Sequence, residues 1–445
     1  MAHPEKKRIT RIRKKTVFKR LAVIMVRMGI IFFLLLFLAI SLLYLPPLQN
    51  WITGKVEQLL TEKLSTKVEV GAIHLNFVAQ MVVRNLYVED QQQDTLWSSE
   101  SIHLRIPVYP LFKKQLLLHN VALRGIKGKY VIYNTQSDST NLDFILRTFD
   151  NNEEKSDGDS GWQVDAAAIS LNDVDLLYDD QRNASQLRIR LGSLEIDSEQ
   201  SDLLDLNFHL SSVHLQNTAL SIKSIPGTNI LDTNKFETDM PTEGMGLLAK
   251  IDQVVLENCT MHYTGPTEAE NTSLLLGKVK LEDFVFDGEK YRVQSEAFSI
   301  TDSRLAVATL SSEQDTTEII EPLSLDFGWN VELHALKLKN NSFLFHQKSL
   351  SDSHIEPDFA LEVSKIDLAA ANLSVSNDTL RANIEQLAFY ENKGMKLQEC
   401  QADLLLCDKK LDIQDLKMKT PYSEISASFA AQNSPLFSFS QALLD

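Results

Sequence analysis

The chain has 445 residues, 44 Lys+Arg against 60 Asp+Glu, and a formal net charge of −16. That length exceeds the roughly 250–300 residues at which a single hydrophobic core stops growing, so it predicts several domains or a repeat array. A hydrophobic content of 44% with 23% charged residues excludes overall disorder, and only 16 glycines and 12 prolines exclude a collagen-like or low-complexity chain.

The charge is unevenly placed. Residues 1–28 carry ten bases and one acid, a balance of +9, which leaves 34 bases and 59 acids, a balance of −25, for the rest. A body that acidic repels phosphate backbones and excludes nucleic acid as its partner. The basic arm, 1–20, precedes a predicted transmembrane signal-anchor helix, 21–45, in which Met28 to Leu45 form a charge-free run. Met28, Phe32, Phe33, Leu36, Phe37 and Tyr44 are the expected anchor residues, Arg27 snorkels toward headgroups, and Pro46-Pro47 end the helix. The basic excess puts the N-terminus in the cytoplasm and exports the body. A cleaved signal peptide is the competing reading, but its apolar region is usually only ~7–15 residues long.

Residues 46–65 are next. Leu48, Trp51, Ile52, Val56, Leu59, Leu60 and Leu64 recur at helical spacing and predict an amphipathic helix that caps the following domain. A first β unit covers 66–149 and closes with a short helix, signalled by the capping box Thr140-Asn-Leu-Asp143 with Leu142, Ile145, Leu146 and Phe149 on one face. Residues 150–161 read as an acidic linker. From 162 to 445 period two dominates, as it does earlier at Ile102, Leu104 and Ile106. Further clear runs are Leu187, Ile189 and Leu191, then Leu361 and Val363, then Leu373 and Val375. Two weakly apolar stretches, 224–245 and 311–322, read as surface insertions. The expected fold is mainly β, an elongated, curled antiparallel sheet with an apolar inner face.

An internal repeat runs through it. Leu171 to Tyr178, Leu256 to Tyr263 and Leu338 to Phe345 share Leu first, Asn or Asp third, an apolar residue sixth and an aromatic eighth; Leu123 to Tyr130 and Leu215 to Ile222 fit more loosely. The third residue predicts a bend or bulge in a long strand. Recurrence of this kind predicts an array that grows by adding strands.

Signs of catalysis are missing. No nucleophile elbow, zinc-protease helix, P-loop or dinucleotide fingerprint occurs. His209 and His214 are the closest exported histidine pair and fall on opposite phases of a strand, so no metal or other cofactor is expected. Cys259, Cys400 and Cys407 form no disulfide framework and read as buried or half-buried thiols.

The ordered combination of basic arm, single span, Pro-Pro, amphipathic helix, Lys67-Val-Glu-Val-Gly71, Val83-Arg-Asn-Leu-Tyr-Val-Glu-Asp90, Ile102-His-Leu-Arg-Ile106 and Leu116-Leu-Leu-His-Asn-Val-Ala-Leu-Arg-Gly125 resembles the N-terminus of the AsmA-like family, particularly its TamB-like envelope proteins. The likeness covers residues 20–150 and is architectural beyond. It implies a non-enzymatic β-groove, anchored in the inner membrane with its bulk in the periplasm, that moves or shields phospholipid acyl chains between membranes. The alternative it implies is an assembly factor for outer-membrane barrels acting with a BamA-like partner. TamB-like members are usually longer, with a C-terminal β segment absent before Asp445, which implies a short member or a part of one. Ile102, Leu104, Ile106, Leu187, Ile189, Leu191, Leu361, Val363, Leu373 and Val375 are the candidate lipid-lining residues, each equally suited to ordinary core packing.

Overall fold

Period-two alternation becomes strand along most of the chain. The computed structural model describes residues 25–35, 37–38, 41, 45–75, 80–107, 113, 115–134, 139–149, 163–202, 206–224, 246–267, 269–311, 328–349, 359–376, 379–407 and 410–432. Strands make up 71% of the structure. Among the described residues, 19 strands form one large sheet and two form a small one.

A long helix, Pro46–Leu64, leads into β1 (Val68–Leu75), β2 (Gln80–Glu89) and β3 (Thr95–Arg105). Then come β4 (Gln115–Leu118), β5 (Asn120–Ile132) and a short helix, Asp143–Phe149. Strands β6 (Gln163–Ala166), β7 (Ala168–Asp180), β8 (Ser185–Asp202), β9 (Asn207–Gln216) and β10 (Ala219–Ser224) follow. The next group is β11 (Leu248–Thr264), β12 (Asn271–Asp287), β13 (Arg292–Thr301) and β14 (Arg304–Ser311). The last are β15 (Asn330–Ser349), β16 (Phe359–Ser376), β17 (Thr379–Glu391), β18 (Lys396–Leu397), β19 (Glu399–Cys407), β20 (Lys410–Lys419) and β21 (Glu424–Gln432).

The sheet is mixed, which corrects the antiparallel expectation. β5 pairs with β7 in parallel, β9 and β10 with β11, and β13 and β14 with β15; β4 and β6 form the small parallel sheet. Alternation carries no direction, because both pairings use the same two-residue repeat. Connection length does. Parallel neighbours need a dozen or more residues to bring the chain back to the end it left, and the three junctions coincide with the long connections 133–162, 225–247 and 312–329. Each junction opens a group of antiparallel strands, and the three close repeat matches lie in the first strand of each group: β7, β11 and β15.

A line of left-handed residues crosses the middle of the sheet at one level. Asn85, Gly125, Asp173, Asn217, Asn258, Asp302 and Asn340 all have φ between 50° and 64°. The last residue of each flanking pair places these positions side by side, with Gly71, Glu100, Gly192 and Gly277 completing the line. Asn, Asp and Gly are the residues that take the left-handed conformation at least cost. The third repeat position is therefore a conformational requirement, met in all five matches. At each parallel junction two left-handed residues lie abreast, and the antiparallel strand beyond supplies a glycine that makes room. A Cβ at Gly277 would lie 2.5 Å from the Asp302 carbonyl oxygen, and one at Gly192 would lie 2.9 Å from that of Asn217.

Side chains tie the line together. Asn340 donates from Nδ2 to Asp302 Oδ1 at 2.6 Å, and its backbone N–H donates to Asp367 Oδ1 at 2.7 Å. Buried Asn341 accepts the Ser303 N–H at 2.8 Å and donates to the Ile300 carbonyl at 3.0 Å.

Several expectations fall outside the described residues: the basic arm, the acidic linker, most of both insertions, and Leu36 and Tyr44 of the anchor. Residues 25–35 are helical, and Met28, Phe32, Phe33 and Phe37 are exposed. Among the described residues no helix is long and apolar enough to cross a membrane. Replacing Gly277 with Val should lower stability by about 1–3 kcal/mol or more in urea titrations. Gly54→Ala, with open space around it and a helical backbone, should instead gain up to about 1 kcal/mol; equal effects would refute the packing account of the line.

Candidate functional site

The left-handed line explains how one face of so wide a sheet stays apolar. Alternation would carry residue i+2 to the same face, but across the line the inward step becomes i+3. It runs Leu123 to Ile126, Leu171 to Val174 and Leu256 to Cys259 over left-handed residues, and Leu194 back to Leu191 over Gly192, with polar Thr218, Ser303 and Asn341 taking the same step after Leu215, Ile300 and Leu338. The face is thus handed across the bend instead of being reversed by it. At the β1 edge, Ile73 and Val83 on one side of the line pack against the cluster of Leu64, Val68 and Val70, together with Leu86 and Val88 on the other side.

The ladder registers turn this into rows. Ile73, Val83, Ile102, Leu123, Leu171, Leu194, Leu215, Leu256, Val279, Ile300, Leu338, Leu368 and Leu387 are successive partners without a polar interruption. Beyond the bend a second row runs Val68, Val88, Trp97, Gly128, Leu176, Ile189, Leu220, Met261, Leu274, Leu305, Phe343 and Val363. These are repeat positions one and six, and position eight gives a third row through Tyr130, Tyr178, Leu187, Ile222 and Tyr263. The neighbouring row on the other face is polar throughout: Arg84, Ser101, Arg124, Asn172, Ser193, Gln216, Glu257, Lys278, Thr301 and Lys339.

The apolar face is closed at one end. The long helix lies along β1 and substitutes for a neighbouring strand: Gln49 donates to the Leu75 carbonyl at 2.9 Å, and Thr61 to that of Val68 at 3.4 Å. Thr53 and Glu57 accept the N–H groups of Ile73 and Val70 at 3.0 and 3.1 Å. These four side chains recur every fourth residue, so one helical face presents them in line to the exposed edge. A helix thus lies along β1 where the sequence predicts the capping helix, and it meets the edge with a polar stripe, while Trp51 and Leu59 of the apolar one remain exposed. The short helix has the expected box: the Thr140 N–H and hydroxyl donate to the Asp143 carboxylate at 3.0 and 2.6 Å.

Between these helices and the sheet lies a cavity of about 600 Å³, lined by Leu60, Leu64 and Ile145 from the helices, by Leu142 just before the short one, and by Val68, Leu86, Trp97, Tyr130, Leu176, Tyr178, Leu187 and Ile189 among the strand residues. Val68 in β1 and Leu187 in β8 border one space although four strands separate them. At ~4.8 Å per strand a flat sheet would hold them roughly 24 Å apart, so the sheet bends round the helices here. Tyr130 and Tyr178 stack at 5.6 Å between centroids. Lys129 is held at the wall by Asp94; the bond raises the Lys129 pKa and lowers that of Asp94.

Of the ten residues singled out from sequence, Leu187 and Ile189 line this cavity. Ile102 and Val363 belong to the two long rows, and Leu104 pairs with Val121 and Met81. Leu191 faces Val174, Leu361 faces Phe345, Leu373 faces Leu333 and Val375 faces Val331. Ile106 lies one residue past β3. Sequence reasoning missed Leu176, Tyr130 and Tyr178 as lining residues, although positions six and eight of the repeat had already marked them.

Among the described residues no group of His, Cys, Asp and Glu could hold a metal ion. Cys259 and Cys400 are buried, which pushes both thiols up, and Cys407 is half-buried on the opposite phase of β19 from Cys400. No family model matches the chain, and no curated protein matches it either. Two measurements follow. Glu57→Ala should cost about 1–3 kcal/mol by stranding the Val70 N–H, read as a lowered midpoint in urea. Iodoacetamide at neutral pH should alkylate Cys407 well before Cys259 or Cys400 in the folded chain; equal rates would contradict the burial.

Proposed function

We propose that this chain is a membrane-anchored groove for lipid acyl chains, of the AsmA/TamB type, acting in the bacterial periplasm without catalysis. One observation carries the reading: rows of aliphatic and aromatic residues continue from strand to strand over most of the sheet, with a polar face behind them. A guest that slides along such a face exchanges one set of apolar contacts for another, and each methylene kept from water is worth ~0.8 kcal/mol. Away from the capped end, successive positions along the rows offer similar apolar contacts, which suits movement better than storage. The exposed apolar helix at 25–35 and the basic arm before it favour tethering at the inner membrane.

Residues 48–445, purified without detergent, should carry phospholipid detectable by mass spectrometry. Aspartate at Ile189, Leu220, Leu274 and Leu305 together should remove most of it while circular dichroism stays β-type. A lipid-free parent, or full loading in the folded variant, would overturn the assignment.

A second reading, assembly of outer-membrane barrels with a BamA-like partner, draws on a different feature. β21 pairs with β20 alone among the described residues, and Tyr422, Ile425 and Phe429 beside or within it are exposed. An uncovered strand edge can accept a strand from another protein. Crosslinking from Ser426 that traps a barrel protein, with no lipid on the apolar face, would favour this reading over the first.

A further inference from the structure

We propose that the capped end of the groove holds one phospholipid as a fixed occupant, its acyl chain in the apolar cavity and its phosphate between Lys63 and Arg147. The proposal rests on the lipid-groove reading and adds a headgroup site to it.

Two hollows lie back to back here. Behind the apolar cavity is a second one of about 490 Å³, and Leu64 lines both. The short helix and the residue before it border both: Leu142 and Ile145 line the apolar hollow, while Asp143, Arg147 and Thr148 line the other. Most of the remaining lining of the second hollow is polar and neutral, including Gln91, Tyr133 and Asn141. An apolar compartment sharing a wall with a polar one matches the two halves of an amphiphile.

Charge selects the headgroup. Lys63 and Arg147 are exposed and make no salt bridge among the described residues. Asp143 is the one carboxylate in the lining. Its oxygens accept from the Thr140 hydroxyl and N–H, the main reason its pKa lies below the usual range, with Arg147 adding a smaller effect. In a body whose balance outside residues 1–28 is −25, two uncommitted cations bordering one hollow are a local inversion of charge. A guanidinium fork and an ammonium together suit a phosphate. Lys63 also sits in the last turn of the long helix, where Leu64 joins the apolar wall, so tail and headgroup contacts come from adjacent residues.

The experiment uses the full chain in lipid-free amphipol, with the photoreactive p-benzoylphenylalanine placed at Tyr130, in the capped cavity, or at Tyr263, farther along the same row. The probes are 1-palmitoyl lysophosphatidic acid and 1-palmitoylglycerol, which share a chain and differ in the phosphate. At Tyr130 the phosphate-bearing probe should crosslink at least about fivefold more than the neutral one. Lys63→Glu with Arg147→Glu should abolish that preference. At Tyr263 both probes should crosslink alike, with or without the substitutions. Equal crosslinking at Tyr130, or a preference that survives the double substitution, would overturn the headgroup site alone. Displacement of the probe by millimolar inorganic phosphate would reassign the site to the free ion and also overturn it. Absence of crosslinks at both positions would reject the groove reading, and the headgroup site with it.

Discussion

A left-handed residue in a strand advances the chain by one position without moving its neighbours to the other face. Everything else in this sheet depends on that. A strand of 17 residues such as β11 is too long to stay straight beside twisted neighbours, and a bend confined to one strand would break the ladder on both sides. Here the bend is shared across the sheet. Each strand changes phase at the same level, so registers survive: Leu256 meets Val279 before the bend and Cys259 meets Leu276 after it, with no slip between. On the line itself slips appear from β15 to β17, around Asn341 and Asp367, where the left-handed residues of β16, Lys365 and Asn372, no longer lie in line; away from it, slips occur between β2 and β3, β8 and β9, β19 and β20, and β20 and β21.

The sheet's two ends are treated differently. At β1 the unpaired backbone is matched by helix side chains, and the apolar cluster behind it is sealed by Leu60, Phe144 and Ile145. At β21 the described structure ends on an exposed strand. Among the described residues the interior is sparse: the buried apolar residues are mostly scattered along the strands, with Val the commonest, then Leu and Ala. Much of the apolar face is only half-covered, as expected where, among the described residues, no second layer lies over the sheet.

Strand content, the helices at 46–64 and 143–149 and the repeat were legible in the sequence because each has a local cause: alternation, helical spacing with a capping box, a recurring Asn or Asp. The parallel junctions were not, since alternation is blind to direction and the deciding connections have no pattern of their own. The loose repeat matches were also undervalued. Leu123 to Tyr130 and Leu215 to Ile222 sit beside the close matches in β7 and β11, paired in parallel and in register. Their looser fit has a plain origin: Gly125 replaces Asn or Asp at the left-handed position, and in the second match Asn217 falls where the strand is divided between β9 and β10. The cavity was only partly visible because its wall includes helix residues far away in sequence, and nothing local announces which strands will curl round them.

Because each junction restarts the same pattern, extent along the sheet comes in steps. The close repeats begin at Leu171, Leu256 and Leu338, and each adds one parallel and several antiparallel neighbours in the same phase. A duplicated unit would dock onto the existing edge with its left-handed residues and its apolar rows already aligned, extending the sheet by roughly 14 Å for three strands at ~4.8 Å each. An insertion of any other length would throw the bend, the glycine and the rows out of line together. Such a molecule can be lengthened by whole units during evolution, and its reach is set by how many it carries.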